Sequence, residues 1–155
     1  KELNDLFNSC FGVASNMYSC PNVPVQYATA ELFNNFDLCA EICCDTREIF
    51  NEIIDSVCGI LKQTKLRFVK PKAAWYLFVD FSEYTNFLLK KGVTNSYELS
   101  DFLINEKGIV GVPGKCFGID GLFMRFSLVD FDLNENEKMS KNIIVGINEL
   151  VNLFT

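Results

Sequence analysis

The residue of this sequence best suited to ligand chemistry is Arg125, which lies in the strand-like segment Phe123–Ser127. An arginine guanidinium is planar, keeps its charge and offers two parallel N–H donors that match the two oxygens of a carboxylate. The ordinary alternative is a strand arginine that pairs with a surface acid. From its spacing alone we expect Arg125 to be one half of a surface ion pair, with carboxylate binding as the alternative.

Other common reaction chemistries lack their residues. The sequence has no histidine, so neither a Ser-His nor a Cys-His nucleophile pair can form within it. Its seven cysteines are irregularly spaced and include no CxxC pair, which leaves no usual ligand set for zinc. Their odd number and the helical setting of several of them favour reduced thiols over a disulfide framework. We expect no metal site and a cytoplasmic location.

Length and composition predict a single domain over residues 1–155. Hydrophobic residues make up 49% of the chain and aromatic residues 14%, which is enough to build a real core. The formal net charge of −6 disfavours binding to nucleic acid through its phosphates. No apolar run reaches the ~20 residues that a membrane-spanning helix needs. We therefore expect neither a nucleic-acid partner nor a membrane partner.

The elements that position these residues begin with helices in the first half of the chain. Residues 1–11 predict a short amphipathic helix or the end of a preceding helix, and the turn formers of residues 12–24 predict a loop. Pro24 suits the first turn of a helix over residues 25–34, where its missing N–H is no loss. A longer helix is predicted from about Leu38 to Gln63, because apolar residues recur there at three- and four-residue steps.

Helical patterns return twice in the second half. Residues 95–107 predict a helix that ends at Gly108, since glycine readily adopts the left-handed conformation of a helix terminus. Asn134 and Glu137 resemble a capping box that opens a final amphipathic helix.

Strand patterns lie between these helices. They cover residues 65–69, 74–81, 109–112 and 122–129, with Pro71 as a break between the first two. Helices, strands, a helix, strands and a last helix follow one another in this order. The fold class expected is α+β, with a small, mostly antiparallel sheet of three to four strands packed with helices.

Four stretches, in this order, resemble the C-terminal small domain of fold-type I pyridoxal-phosphate (PLP) aminotransferases of the aspartate/aromatic type. They are residues 19–28, 70–81, 108–118 and 123–127. The third (Gly-Ile-Val-Gly-Val-Pro-Gly-Lys-Cys-Phe-Gly) and the fourth (Phe-Met-Arg-Phe-Ser) together carry the specific signal. One departure is Ala73, which stands where relatives often have glycine before the aromatic strand.

The resemblance assigns roles to particular residues. It implies that Arg125 binds the α-carboxylate of the substrate and that Trp75 is similar to an aromatic residue that lines the substrate pocket. Tyr18 and Ser19 lie in the loop that approaches the active site of the neighbouring subunit in relatives. Ordinary readings stand beside the last three, since Trp75 could be a core residue and the loop a plain surface loop.

The resemblance also implies PLP as the cofactor of the full-length protein, held there as a Schiff base by a lysine. None of the eleven lysines lies in a matching motif. We therefore expect no catalytic residue in this chain, an absent PLP-binding large domain, and an inactive fragment that binds no PLP covalently. The implied partners are an amino acid and a 2-oxo acid as substrates, and the large domain and second subunit of a homodimer.

Two alternatives remain open at this point. The chain could be a non-enzymatic α+β interaction module, in which Arg125 would be exposed or paired with an acid. It could also be the small domain of another fold-type I PLP enzyme, such as a lyase or an acyl-transferring synthase.

Overall fold

The computed structural model describes residues 2–17, 22–129 and 141–154. The described helices are α1 (Glu2–Met17), α2 (Val23–Asn34), α3 (Phe36–Leu61), α4 (Thr85–Lys90), α5 (Ser96–Lys107) and α6 (Lys141–Phe154). The described strands are β1 (Arg67–Phe68), β2 (Tyr76–Asp80), β3 (Val112–Pro113) and β4 (Phe123–Ser127), with short 3-10 turns at Ser82–Tyr84 and Gly114–Phe117. The predicted α+β class, with a small antiparallel sheet packed with helices, is confirmed.

By its internal contacts the chain divides into two compact units, Lys1–Asp45 and Thr46–Thr155. The first unit contains α1, α2 and the beginning of α3, and the second contains the sheet and the remaining helices. The assignment of residues 1–155 to one domain stays a prediction.

The first unit is helical where a loop was predicted. Residues 12–17 belong to α1, so the loop predicted over residues 12–24 is wrong for that part. The physical reason is that no proline interrupts the chain before Pro21, and the Ser15 hydroxyl donates back to the Gly12 carbonyl at 3.0 Å within the helix. Pro24 does lie in the first turn of α2, as predicted, and Asn22 caps this helix by accepting from the Val25 N–H at 3.2 Å.

The described part of the first unit buries no side chain. Large apolar residues of α1 and α2 are exposed, among them Leu3, Phe7, Phe11 and Phe33. This unit therefore contributes nothing to the core that follows.

The sheet of the second unit has the strand order β1-β2-β4-β3, with every neighbouring pair antiparallel. Along β2 and β4 every second side chain is buried, as period-two alternation requires. These core-facing residues are Leu77, Val79, Met124 and Phe126. They join buried residues of the helices, such as Ile53, Leu61, Leu99, Leu103 and Leu150, in one core.

The opposite side of the sheet, called here the outer face, carries the residues between them. It is formed by Tyr76, Phe78, Asp80, Phe123, Arg125 and Ser127, all of them exposed or half-buried. Arg125 therefore projects from the side of the sheet opposite the one that faces the buried core of the second unit.

Several boundaries differ from the predicted ones. The strands predicted over residues 65–69 and 109–112 are wrong in extent, because only Arg67–Phe68 and Val112–Pro113 pair. Both are edge strands, and an edge tolerates a proline such as Pro113, whose missing N–H costs no ladder bond on its open side. The α4 helix and both 3-10 turns were not predicted.

Helix ends in the second half follow local chemistry. Asn95 caps α5 by accepting from the backbone N–H groups of Tyr97 at 2.9 Å and Glu98 at 3.1 Å. Gly108 ends this helix in the left-handed conformation with φ 66°, as predicted. The predicted capping box of Asn134 and Glu137 lies outside the described residues.

The six described cysteines are free thiols. Burial raises the pKa of the Cys58 thiol, while Cys10, Cys43, Cys44 and Cys116 are exposed. Within the described ranges there is no group of three or more His, Cys, Asp or Glu side chains able to hold a metal. No described helix is long and apolar enough to cross a membrane.

Candidate functional site

The strand β4 fixes the position of Arg125. It is an inner strand, in which Arg125 lies opposite Phe78 of β2 and opposite Val112 of β3. Hydrogen-bonded partners on both sides leave the backbone of an inner strand little freedom. The backbone of Arg125 is therefore held rigidly in the middle of the outer face.

Two aromatic rings surround the guanidinium of Arg125. Its Cζ lies 4.2 Å from the ring centroid of Tyr76 and 4.7 Å from that of Phe117. Both distances are within the range in which a cation is attracted by the π-face of a ring. The rings hold the charge without neutralising it.

Arg125 has no acidic partner within the described part of the chain. It forms none of the ion pairs found there. Its Nε is buried and lacks a hydrogen-bond partner among the described residues. A buried N–H without an acceptor costs about 1–3 kcal/mol. An incoming oxygen acceptor would relieve this cost, and an oxyanion would also balance the charge.

The other charges of the same face are already paired. Arg67 contacts Asp80 at 3.0 Å and Glu83 at 3.5 Å. Asp80 also accepts a hydrogen bond from the Ser82 backbone N–H at 2.8 Å. Because this carboxylate is bound at the far end of the outer face, it is not available to Arg125.

The surroundings of the guanidinium are aromatic. Phe78 packs edge-on against Phe117 at a centroid distance of 6.0 Å and stacks on Phe123 at 5.9 Å. A groove of about 320 Å³ adjoins these rings, lined by Arg67, Phe68, Val69, Phe78, Asp80 and Phe123. An apolar setting lowers the local dielectric constant and so strengthens a charge-assisted hydrogen bond made inside it.

The 3-10 turn Gly114–Phe117 brings Phe117 to the site. Its first residue, Gly114, packs its backbone directly against Phe123 of β4. The next residue, Lys115, donates its backbone N–H to the hydroxyl of buried Ser96 at 3.2 Å, which ties the turn to α5. The Pro113–Gly114 pair of the sequence motif therefore lies where the turn meets both the sheet and a helix.

The predicted site residues are placed as follows. Trp75 stacks on Phe50 of α3 at 5.3 Å and lies 5.7 Å from the ring of Tyr76. Tyr76, which the prediction passed over, is the ring that contacts Arg125. Trp75 is thus one ring removed from the guanidinium. Tyr18 and Ser19 lie outside the described residues.

Tyr76 and Phe117 are the site residues that sequence reasoning missed. Strand alternation places Tyr76 on the same face as Phe78, but only the register, in which Tyr76 pairs with Ser127, brings it diagonally to Arg125. The proximity of Phe117 to Arg125 was harder to predict from the sequence, because it depends on how the turn after β3 packs.

Three of the described lysines are held in ion pairs, which suits them poorly to anchor PLP covalently. The amines of Lys70, Lys107 and Lys115 are bound to the carboxylates of Asp55, Glu149 and Asp120, respectively. The hydrogen bond to Asp120 raises the pKa of Lys115, whereas imine formation needs a neutral amine. The arrangement around Arg125 suits the carboxylate of a small molecule.

Comparison with known proteins relates the chain to one family. The model of the family described as "Aminotransferase class I and II" matches residues 5–143. An aspartate aminotransferase of Sulfolobus acidocaldarius is 28% identical over 141 residues, which are 90% of this chain and 32% of that protein. A probable aspartate/prephenate aminotransferase of Aquifex aeolicus is 42% identical over 59 residues, which are 38% of this chain and 14% of that protein.

Solved structures show the same fold. A mutant of Thermus thermophilus aspartate aminotransferase matches with a TM-score of 0.69 at 20% identity, covering 92% of this chain and 34% of that one. An aromatic aminotransferase from Pyrococcus horikoshii matches with a TM-score of 0.68 at 21% identity, with the same coverage of 92% and 34%. The chain spans about a third of the length of the curated relatives over which it aligns most fully.

Proposed function

Since the chain belongs to the aminotransferase class I and II family, we propose that it serves the transfer of an amino group between an amino acid and a 2-oxo acid. Its own contribution is the side chain of Arg125, which binds the α-carboxylate of the substrate. The observation that carries this role is the Arg125 guanidinium, which has no ion pair and whose buried Nε–H has no acceptor among the described residues.

A carboxylate clamp suits both substrates of this reaction. The amino acid and the 2-oxo acid differ at Cα but share the carboxylate beside it, so a single arginine can hold either one. A planar guanidinium that binds both oxygens also fixes how the substrate is rotated about the bond to Cα. Arg125 would therefore orient the reacting carbon without taking part in a proton transfer.

The cofactor proposed for the full-length protein is PLP, which when bound supplies the electron sink for chemistry at Cα. The eleven lysines of this chain lie in no matching anchor motif, which supports an anchor outside this chain. We propose that the chain is the small domain of the enzyme, with the anchor in a large domain and a homodimer as the assembly. Cytoplasmic location is a further proposal, supported by the free thiols of the described cysteines.

Substitution of Arg125 in the full-length holoenzyme tests the proposal. Loss of one partner from a desolvated, hydrogen-bonded charge pair costs about 2–5 kcal/mol. At 1.36 kcal/mol per tenfold change in rate, Arg125→Gln should lower kcat/KM for amino acids by about 30-fold to several thousand-fold. Arg125→Lys should fall between this variant and the unmodified enzyme, because it keeps the charge and loses the planar fork.

Arg47 offers a matched control. It lies exposed on α3 and makes no ion pair within the described part of the chain. Arg47→Gln removes an equal charge and should leave kcat/KM unchanged. Equal kcat/KM values for Arg125→Gln and Arg47→Gln would refute the clamp.

Analysis of the products separates transamination, which yields a 2-oxo acid and a new amino acid, from lyase or acyl-transfer chemistry.

A further inference from the structure

We propose that Tyr76 and Phe117 are positioning residues, which set the plane of the Arg125 guanidinium before a carboxylate arrives. The inference rests on the proposed function, because Arg125 is the group that the two rings would position. Its basis is that Cζ lies 4.2 Å from one ring centroid and 4.7 Å from the other.

The two rings reach Arg125 from different sides of β4. Tyr76 belongs to β2, where it pairs with Ser127 and therefore stands diagonally to Arg125. Phe117 comes from the 3-10 turn that follows β3, the strand on the other side of β4. The guanidinium therefore contacts rings that two separate elements carry, and a movement away from either ring loses one contact.

Each ring also packs against another aromatic side chain. Tyr76 lies against Trp75, which in turn stacks on Phe50. Phe117 packs edge-on against Phe78. Because these contacts do not involve the arginine, they restrain the two rings independently of Arg125. The rings can therefore act on Arg125 instead of following it.

The rings take the place that an acid usually has beside an arginine. A second-sphere carboxylate would order the side chain but would also compete with the substrate for its N–H donors. Aromatic faces order a guanidinium by stacking and cation–π attraction while they accept none of its in-plane N–H bonds. The rings therefore leave the N–H donors unused, and less conformational freedom is left to lose when a planar carboxylate binds.

The geometry can be tested without any ligand. Residues 1–155 contain three arginines, Arg47, Arg67 and Arg125, so the Nε–Hε region of an ¹⁵N NMR spectrum of this chain should hold three resolvable signals. The Arg125 signal should be shifted upfield by the ring currents and should exchange slowly with solvent. Tyr76→Leu and Phe117→Leu should each move it downfield and speed its exchange, while Tyr76→Phe should leave it in place.

A measurement on the unsubstituted protein guards against variants that fail to fold. Nuclear Overhauser contacts between the ring protons of Tyr76 or Phe117 and the Arg125 side chain should be present. Their absence, or an Arg125 signal that stays in place in both folded leucine variants, overturns the positioning role.

The consequence for activity is tested in the full-length holoenzyme. Tyr76→Leu should lower kcat/KM by about tenfold with full recovery in Tyr76→Phe, and should have no further effect once Arg125 is replaced by Gln. A purely structural ring would instead lower activity equally in both backgrounds, which overturns the proposal. If the NMR signals move as expected and Arg125→Gln is fully active, the positioning holds and only the proposed function fails.

Discussion

Gly114 lies so close to Phe123 that a Cβ added to Gly114 would stand 2.6 Å from the Cβ of Phe123 and 3.1 Å from its carbonyl oxygen. The turn that carries Phe117 is thereby seated directly on β4, two residues from Arg125. Gly114 is not among the glycines with a positive φ, so the backbone conformation does not require a glycine here. The lack of space for a Cβ does.

Gly114→Ala should consequently destabilise the protein. The new methyl group meets a Cβ and backbone, which cannot turn aside as the end of a flexible side chain could. Overpacking of this kind costs about 1–3 kcal/mol. Equilibrium unfolding in urea should show a lower midpoint with an unchanged m-value.

Gly146 supplies the control for the same substitution. It lies in α6 with nothing within 4 Å of an added Cβ. Gly146→Ala should stabilise the protein by up to about 1 kcal/mol, because alanine favours a helix over glycine. Equal midpoints for the two alanine variants would contradict the seating of the turn on β4.

Ala74→Gly should make the protein more stable. Ala74 has φ 57° and is the non-glycine residue with positive φ among those described. Left-handed backbone costs an L-residue about 1–2 kcal/mol, while glycine adds about 0.4–1 kcal/mol of unfolded-state entropy. The net gain expected is up to about 1.5 kcal/mol, measured by the same urea titration.

Ala73→Gly tests whether the backbone strain is confined to Ala74. Ala73 stands where relatives often have glycine, yet the backbone strain lies at Ala74. Ala73→Gly relieves no positive φ and should cost about 0.4–1 kcal/mol through the unfolded state. A higher free energy of unfolding in Ala73→Gly, or a lower one in Ala74→Gly, would contradict the assignment of the strain to Ala74.

Stability should depend on pH through Glu149. Lys107 of α5 donates to the Glu149 carboxylate of α6 at 2.6 Å, and this hydrogen bond, helped by the lysine's charge, lowers the pKa of Glu149. A carboxyl whose pKa is lower in the folded state stabilises the protein above its ordinary pKa of about 4.3. That contribution is lost as the pH falls through the folded-state value.

Thermal unfolding of Glu149→Gln checks the sign. The variant should unfold at a lower temperature than the unsubstituted protein near pH 7, and the difference should shrink as the pH falls below about 4.3 and through the lowered folded-state pKa of Glu149. Glu106→Gln is the control, because Glu106 is exposed on α5 and makes no ion pair within the described ranges. A gap for Glu149→Gln that persists in acid would argue against the ion pair as its cause.

Features that depend on local chemistry could be predicted from the sequence. The α+β class follows from the period of apolar residues, Gly108 ends α5 because glycine tolerates left-handed backbone, and Arg125 stands out because of its guanidinium and flanking motifs. Such features need only a few neighbouring residues, so a linear reading reaches them. The extension of α1 to Met17 escaped it, because a short polar stretch can satisfy its serines within a helix as well as in a loop.

The tertiary structure alone decided what surrounds Arg125. The register of β2 against β4 selected Tyr76 over Trp75, and the seating of Gly114 on Phe123 brought Phe117 to the guanidinium. Both depend on contacts between segments that are distant in the chain, and a shift of one residue would turn every side chain of a strand to the other face. The pairing of the strands thus places the guanidinium of a strand arginine against two aromatic rings.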